Sequence, residues 1–254
     1  MYDSLSSSYD RFVNWPSRLA YEMPFIEGQL SMLGTPPLRI LDAACGTGMH
    51  AIAMAQRGHA VAGADLSEPM IEVARLNAVR AGVDIQFEPV GFGSLSQTFG
   101  PGSFDALLCL GNSLPHLTSP EDLAGALQDF AGVLRPGGLL LVQNRNFDSV
   151  MASLARWMEP QSHQEEDNEW LFLRFYDYLP DGLIDFNVVT LHRQERGLWN
   201  QQVSTTQLRP ILQTELVQAL DEAGFSQVTC YGDMTGSAFD PSSSGNLVIT
   251  AFIA

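Results

Sequence analysis

The sequence contains no lysine. All 13 of its basic residues are arginines, set against 29 acidic residues for a formal net charge of −16. The absence of lysine excludes a Schiff-base mechanism, a pyridoxal-phosphate anchor and the lysine of a phosphate-binding loop. A surface with this excess of negative charge repels nucleic-acid phosphates and anionic membranes. We therefore expect neither nucleic acid nor a membrane to be a partner.

Cysteine is scarce, and long hydrophobic runs are missing. Cys45, Cys109 and Cys230 are far apart in apolar surroundings, which is typical of free thiols in a reducing compartment. No apolar run reaches the ~18 residues of a membrane span, and residues 1–4 lack the features of a signal peptide. No cluster has metal-ligand spacing. These absences predict a cytoplasmic protein without a metal centre.

Between residues 38 and 142, short apolar runs alternate with segments of helical periodicity. Strands are predicted at 38–41, 60–64, 85–87, 104–110 and 138–142, and helices at 49–56, 68–80 and 122–134. Strands that alternate with helices at this spacing are typical of a doubly wound, mostly parallel α/β sheet. A further helix at 213–222 and strands at 227–231 and 246–252 complete a seven-stranded sheet.

The region after the fifth strand follows a different pattern. Longer strands at 169–178, 183–193 and 203–208 indicate an antiparallel insertion, and the acidic stretch 164–169 before them is expected to be mobile. Residues 2–33 have helical spacing and end before a proline pair. We predict one domain, 1–254, with a helical cap (1–34), a cofactor-binding core (35–146), an insertion or lid (147–209) and a C-terminal completion of the sheet (210–254).

The strongest motif is Asp42-Ala43-Ala44-Cys45-Gly46-Thr47-Gly48, at a predicted strand-to-helix turn. Such a turn lies at the carboxyl edge of the sheet, where ligands of open α/β folds bind. Gly46 and Gly48 let the backbone pass close to a ligand. Asp65, at the end of the second strand, can accept hydrogen bonds from both hydroxyls of a ribose. The presence of Asp65 at the end of the neighbouring strand favours a cofactor site over a plain glycine turn.

Two classes of cofactor fit this motif. The run Gly46-Thr47-Gly48-Met49-His50-Ala51 also fits the glycine pattern of dinucleotide dehydrogenases, which have an acid downstream. Asp42 argues against them, because its charge would repel a pyrophosphate and attract the ammonium and sulfonium of a methionine-derived donor. No pair suited to hydride transfer follows the sheet. We favour a methyltransferase and keep the dehydrogenase as the alternative.

With these motifs the chain resembles the class I S-adenosylmethionine-dependent methyltransferases. The matching segments are 38–48, 65–70, 104–106 and 134–138. The resemblance implies a Rossmann-like fold in which the glycine loop holds the methionine portion of S-adenosylmethionine and Asp65 holds the ribose. Leu66 and Met70 would then pack on the adenine, with a place in the helix core as the alternative for Met70. Where the family usually places Asp or Asn for the adenine amino group, this chain has Gly91, followed by Phe92, which can stack on the ring.

A narrower resemblance is to the glycine and sarcosine N-methyltransferases. It rests on the segments 109–117 (CLGNSLPHL) and 145–148 (RNFD), both at the carboxyl ends of central strands. The resemblance implies that Asn112 and Arg145 bind the acceptor, with the arginine forked onto an amino-acid carboxylate. The structural alternatives are that Asn112 ties down its own loop and that Arg145 pairs with Asp148.

Other residues extend the predicted site. His116 is the leading base if the acceptor is a hydroxyl group, and a structural hydrogen bond is its alternative role. Tyr9 resembles the tyrosine of the N-terminal helix that closes over the donor in this group, and core packing is its alternative role. Asp42 and Leu110 belong to the predicted cofactor contacts. Secondary candidates for lining the site are Tyr21, Arg174, Tyr178 and Arg209.

The sequence thus predicts methyl transfer from S-adenosylmethionine to a small molecule, first of all to the amine of a glycine- or sarcosine-like amino acid. Two alternatives stay open: an O- or C-methyltransferase of a hydroxylated or apolar metabolite, and a non-catalytic S-adenosylmethionine-binding protein. Because methyl transfer from a sulfonium is a direct displacement, an enzyme gains mainly by aligning the nucleophile, the methyl group and the sulfur.

Overall fold

A computed structural model describes residues 11, 13–195 and 197–254. Helix α1 (Trp15–Leu30) begins at Asn14, whose side chain accepts a hydrogen bond from the Ser17 backbone N–H. A short 3-10 turn, Ser31–Leu33, follows it. The helical segment therefore ends before the proline pair, as predicted.

Strands and helices then alternate along the chain. In order they are β1 (Arg39–Ala43), α2 (Met49–Ala55), β2 (Ala60–Ala64), α3 (Glu68–Ala81), β3 (Gln86–Glu88), α4 (Leu95–Phe99), β4 (Phe104–Cys109), α5 (Pro120–Val133) and β5 (Leu134–Arg145). The insertion comprises α6 (Phe147–Ser153), β6 (Gln161–Glu165), β7 (Asn168–Tyr178), β8 (Ile184–Gln194) and β9 (Asn200–Leu208). The last elements are α7 (Gln213–Glu222), β10 (Phe225–Tyr231) and β11 (Asn246–Ile253).

The central sheet has seven strands in the order β10-β11-β5-β4-β1-β2-β3. The first five strands are parallel to one another, and β11 is antiparallel to both β5 and β10. The four strands after α6 form a separate antiparallel sheet in the order β6-β7-β8-β9. The predicted fold class is confirmed: a Rossmann-like, doubly wound and mostly parallel sheet with an antiparallel insertion after the fifth strand.

Helix boundaries in the core follow local capping chemistry. The Ser67 side chain accepts from the Met70 N–H at the start of α3, and Gly82 ends that helix in the left-handed region. Helix α5 begins at Pro120, two residues earlier than predicted, because Ser119 caps it and accepts from the Asp122 N–H at 3.0 Å. Proline is well suited to this first helical position, since its missing N–H would be unpaired there.

Hydrophobic cores cover both faces of the central sheet. Alternate residues of β4 enter different cores: Leu107 and Cys109 belong to the cluster that includes α5 and α7. Ala106 and Leu108 belong to the cluster that includes α1 and α2. All three cysteines are free thiols, with Cys109 fully buried as expected of a small core residue. None of the described helices is long and apolar enough to cross a membrane.

Strand β5 is longer than the predicted 138–142. Its pairing with β4 shifts between Leu134 and Leu139, so the intervening Pro136-Gly137-Gly138 forms an irregularity within the strand rather than a turn before it. At its other end the polar residues Gln143 and Asn144 still pair with β11 and are buried. Because these two residues are polar, the hydrophobicity pattern does not predict this end of the strand.

The acidic stretch 164–169, which was predicted to be mobile, forms a hairpin in which β6 pairs with β7 and Glu165 lies opposite Asn168. Two arginines supply the opposite charge, because Arg11 donates to Glu165 at 2.7 Å and Arg193 donates to Glu169 at 2.7 Å. The short helices α4 and α6 were also missed, since five and seven residues are too few for a clear helical period.

One face of the insertion sheet packs against the rest of the chain. Successive side chains of a strand point to opposite faces. Tyr176, Ile184 and Leu208 share one face and form a buried cluster with Phe147 and Val150 of α6. We call this the inner face of the insertion.

Candidate cofactor and acceptor site

A cavity of about 460 Å3 lies beyond the carboxyl ends of β1 to β4. This edge of an open α/β sheet is where ligands bind, and the volume is within the ~300–1,000 Å3 range of small-molecule sites. Seven of the predicted site residues line the cavity: Gly46, Asp65, Leu66, Met70, Phe92, Leu110 and His116. Thr206 of the insertion also lines it, so β9 contributes to the wall.

Asp65 is held in the cavity wall by two backbone donors. Its carboxylate accepts from the Gly46 N–H at 2.8 Å and from the Ser67 N–H at 2.9 Å. The side chain is half-buried and lines the cavity, and an ionised carboxylate has about four acceptor positions. This arrangement suits a pair of ribose hydroxyls.

Positions 46 and 48 of the motif are occupied by glycine for different structural reasons. Gly46 lines the cavity and has a φ of 55°, so its backbone is available to a ligand. Gly48 has a φ of 79°, and a Cβ there would lie 2.8 Å from Cζ of Phe87. Packing against Phe87 therefore requires a glycine at position 48 before any ligand is considered. Gly48 does not contribute to the cavity wall.

Asp42 lies beneath the loop rather than in the cavity wall. It is 1% exposed, and its carboxylate accepts from the Ala51 N–H in the first turn of α2 at 3.2 Å. Burial raises its pKa to about 6, although the nearby His50 acts in the opposite direction. Its predicted contact with the methionine portion stays a prediction, because the side chain here caps a helix.

An apolar wall stands next to Asp65. Leu66 is 81% exposed, which is unusual for leucine, and it lines the cavity together with Phe92. The Phe92 ring is fixed by an edge-to-face contact with Phe130, with ring centroids 5.1 Å apart. A Cβ at Gly91 would lie 3.1 Å from the Leu66 side chain, so a larger residue there would press on this wall. The wall fits an adenine ring, whose burial against it would be favourable.

The structure separates the two predicted acceptor residues by role. Asn112, with a φ of 70°, accepts from the Arg145 backbone N–H at 2.9 Å, which is the loop-tying role. The Arg145 side chain is exposed and makes no ion pair with any described residue. Asp148 accepts instead from the Gln213 N–H at 3.0 Å. The ion pair between Arg145 and Asp148, which was the structural alternative, is therefore not formed.

A buried polar network that no sequence pattern predicted lies behind one part of the cavity wall. Glu22 of α1 accepts from Arg18 at 3.0 Å and from Gln143 at 3.3 Å, and its carboxylate lies 2.7 Å from Nε2 of His50. Gln143 in turn accepts from the backbone N–H of Gly111, which lines the cavity, at 3.1 Å. The local sequence signal for this network was an acid, Glu22, on the apolar side of a helix.

The other predicted site residues either lie outside the described residues, are absent from the cavity wall, or make structural contacts. Tyr9 lies outside the described residues. Tyr21 is 47% exposed and is not among the residues of the cavity wall. Arg209 pairs with Glu215, which is a structural role. The Tyr178 hydroxyl donates to a backbone carbonyl at 2.9 Å.

His116 is a neutral side chain in the cavity wall at pH 7. Burial lowers its pKa to about 4 from an ordinary value of 6.5. Between these values the unfolded chain binds more protons than the folded protein, so the free energy of unfolding should fall as the pH drops from about 6.5 toward 4.

We expect a His116→Gln variant to lose less stability than the wild type over this pH range, by up to roughly 3 kcal/mol. Urea unfolding of both proteins near pH 7 and near pH 4.5 measures the difference. The raised pKa of Asp42 has the opposite effect on how the free energy of unfolding changes with pH, but this effect is common to both proteins. An identical loss in the two proteins would contradict a depressed histidine pKa.

Comparison with known proteins adds independent findings. Residues 40–138 match a family model described as a methyltransferase domain. A glycine/sarcosine N-methyltransferase of Aphanothece halophytica is 30% identical over 225 residues, covering 89% of this chain and 79% of that protein. One from Halorhodospira halochloris is 34% identical over 149 residues, covering 59% and 54%. A solved S-adenosylmethionine-dependent methyltransferase from Clostridium acetobutylicum has a TM-score of 0.80 at 14% identity, covering 100% and 99%.

Proposed function

Because this chain belongs to the class I S-adenosylmethionine-dependent methyltransferases, we propose that it methylates the amine of a small amino acid, similar to glycine or sarcosine. The family membership makes the chain a methyltransferase that uses S-adenosylmethionine rather than a dinucleotide dehydrogenase. The relatives from Aphanothece halophytica and Halorhodospira halochloris act, by their names, on glycine and sarcosine. The identity of the acceptor is the part that we propose.

Arg145 carries this proposal. Its guanidinium is exposed at the carboxyl end of β5 and has no ion-pair partner among the described residues, in a chain with 29 acids and 13 arginines. Its backbone N–H donates to the side chain of Asn112, whose chain neighbours Gly111 and Ser113 line the cavity. A planar guanidinium offers paired donors that match a carboxylate. An amino acid supplies such a carboxylate next to its amine.

The residues of the cavity wall fit the donor. S-Adenosylmethionine, when bound, supplies a methyl group on a positively charged sulfur that a nucleophile can displace. Asp65 would hold its ribose, Leu66 and Phe92 would pack on its adenine, and the backbone at Gly46 would pass close to its methionine portion. The structure supports these roles by placing all four residues in one cavity.

The acceptor side favours an amine over a hydroxyl group. A hydroxyl nucleophile needs a base near it, and His116, with a pKa of about 4, is a weak base. An amine that arrives deprotonated needs none. Arg145 would fix the carboxylate so that the amine faces the donor, and such alignment can supply roughly 7–11 kcal/mol in favourable cases.

A product assay tests the proposal. The purified protein is incubated with S-adenosylmethionine and, separately, with glycine, sarcosine, ethanolamine and a phenol, and methylated products are measured by mass spectrometry. We expect methylation of glycine or sarcosine. Ethanolamine is the matched control, because it replaces the carboxylate of glycine with an alcohol, and it should react at least about 100-fold less efficiently. A methylated phenol without a methylated amino acid would favour the O-methyltransferase alternative.

A further inference from the structure

We propose that Glu22 is a positioning residue for methyl transfer, which fixes the cavity loop 110–113 by orienting the side chain of Gln143. None of the sequence motifs includes Glu22, which lies on α1, outside the sheet. The inference rests on the proposed function only for the choice of glycine in the assay, because the loop lines the cavity whatever the acceptor is.

The loop 110–113 has a backbone conformation that needs support from its surroundings. Leu110, Gly111 and Ser113 line the cavity. Gly111 has a φ of 78° and Asn112 a φ of 70°, so two successive residues lie in the left-handed region. This region is unfavourable for a residue with a side chain, such as asparagine, and is kept only where neighbouring contacts enforce it. The shape of this part of the cavity wall therefore depends on the bonds that hold the loop.

Strand β5 supplies these bonds, and Gln143 makes two of them. Its side-chain oxygen Oε1 accepts from the Gly111 N–H at 3.1 Å, and its backbone carbonyl accepts from the Asn112 N–H at 3.0 Å. The Asn112 side chain accepts in turn from the Arg145 N–H at 2.9 Å. Gln143 thus binds both left-handed residues. Of its two bonds, only the one to Gly111 depends on which way a side-chain amide points.

Glu22 determines the orientation of that amide. An ionised carboxylate can only accept, so Glu22 takes the amide nitrogen Nε2 of Gln143 as a donor at 3.3 Å. This turns Oε1 toward Gly111 and toward Nη2 of Arg18, which donates to it at 3.4 Å. With the amide reversed, Nε2 would face two donors and Oε1 would face a carboxylate. The charge of Glu22 therefore selects the orientation that binds the loop.

Glu22 is itself held in place and kept charged. It is 4% exposed, and its carboxylate lies 2.7 Å from Nε2 of His50 and accepts from Arg18 at 3.0 Å. Burial acts to raise the pKa of Glu22, but the bonds to His50 and Arg18 outweigh burial and lower it, so the group is ionised at neutral pH. A buried charge is little screened by solvent, which makes its preference for one amide orientation strong.

The test measures the loop and the reaction separately. Amide hydrogen exchange of Gly111 is followed by NMR in the ligand-free protein, and initial rates of methylation give the KM for glycine. The variants are Glu22→Gln, Gln143→Met and the double variant. Glu27→Gln is the matched control: it replaces an acid of the same helix that pairs with Arg57 at 3.5 Å and makes no bond to Gln143.

Both single variants are expected to exchange the Gly111 amide at least about tenfold faster and to have a KM for glycine raised at least about tenfold. Methionine at position 143 has no acceptor for Gly111, and glutamine at position 22 no longer selects one amide orientation. Because Glu22 acts on the loop through Gln143, the double variant should have the same KM as Gln143→Met alone. Glu27→Gln should behave as the wild type.

The outcomes separate this inference from the proposed function. Faster exchange at Gly111 in both single variants, with no methylation of glycine by the wild type, would support the positioning role and refute the proposed acceptor. Methylation of glycine with wild-type exchange or wild-type KM in Glu22→Gln would overturn the positioning role alone. Increases in KM that multiply in the double variant would also overturn it, since they would indicate independent effects.

A variant that keeps the charge covers the case in which Glu22→Gln does not fold. Glu22→Asp is one methylene shorter, so its carboxylate cannot stay within hydrogen-bond distance of both Gln143 and His50. We expect faster exchange at Gly111 in this variant as well. Exchange at the wild-type rate would refute the inference.

Discussion

Replacing Asp65 with alanine is expected to weaken the binding of S-adenosylhomocysteine at least about 100-fold, as measured by calorimetry. The carboxylate is proposed to accept from two ribose hydroxyls, and hydrogen bonds to charged groups contribute ~1.5–3 kcal/mol each. The same carboxylate accepts from the Gly46 and Ser67 N–H groups. The alanine variant therefore also loses the bonds that hold the glycine loop against the end of β2.

Two controls separate these effects. Asp65→Asn keeps one carbonyl oxygen for Gly46 or Ser67 and should bind with intermediate affinity. Glu68→Gln removes an acid only three residues away, but this side chain is exposed and outside the cavity wall, so affinity should not change. Melting temperatures of the ligand-free variants report any loosening of the loop. Wild-type affinity in Asp65→Ala would remove this residue from the cofactor site.

The cofactor half of the site could be predicted from the sequence because its parts are local. The glycine loop directly follows β1, and Asp65 directly follows β2. Parallel pairing of these strands, with Asp42 opposite Gly63, brings the two turns together at one edge of the sheet. In any doubly wound fold that pairs its first two strands in this way, the residues that follow these two strands lie close together.

The two glycines show the limit of this reasoning. Gly46 and Gly48 were predicted to share one role, the close approach of a ligand. The structure places Gly46 in the cavity wall and gives Gly48 a packing role against Phe87. The distance between Gly48 and Phe87 depends on how β3 lies beside β2, which no local pattern encodes.

The acceptor half could be predicted only in part. Arg145 was identified from a motif, but part of the cavity wall comes from the distant insertion. The placement of Thr206 depends on the register of an antiparallel sheet, in which a shift of one residue would turn its side chain to the other face. The bond between Gln143 and Glu22 joins residues 121 positions apart. Such contacts follow from tertiary packing rather than from periodicity.

Replacing Arg145 with methionine is expected to reduce kcat/KM for glycine between about 100- and 10,000-fold, while S-adenosylhomocysteine binds with unchanged affinity. Two charged hydrogen bonds to the carboxylate are lost, and the amine is no longer held in line with the donor. Methionine preserves much of the apolar stem, and the bond between the backbone of residue 145 and Asn112 does not involve the side chain. Initial rates with glycine and calorimetry with S-adenosylhomocysteine measure the two quantities.

The control for this variant is Arg156→Met, which removes an arginine on the outer side of the insertion, where it pairs with Asp177. It should leave kcat/KM unchanged. Ethanolamine gives a second comparison, since it has no carboxylate for Arg145 to hold, so its slow turnover should be nearly the same in the wild type and in Arg145→Met. The variant would therefore lose discrimination between the two amines rather than the capacity for methyl transfer. An equal loss with both amines, or a loss of S-adenosylhomocysteine binding, would mean that Arg145 supports the fold or the donor site instead of reading the acceptor.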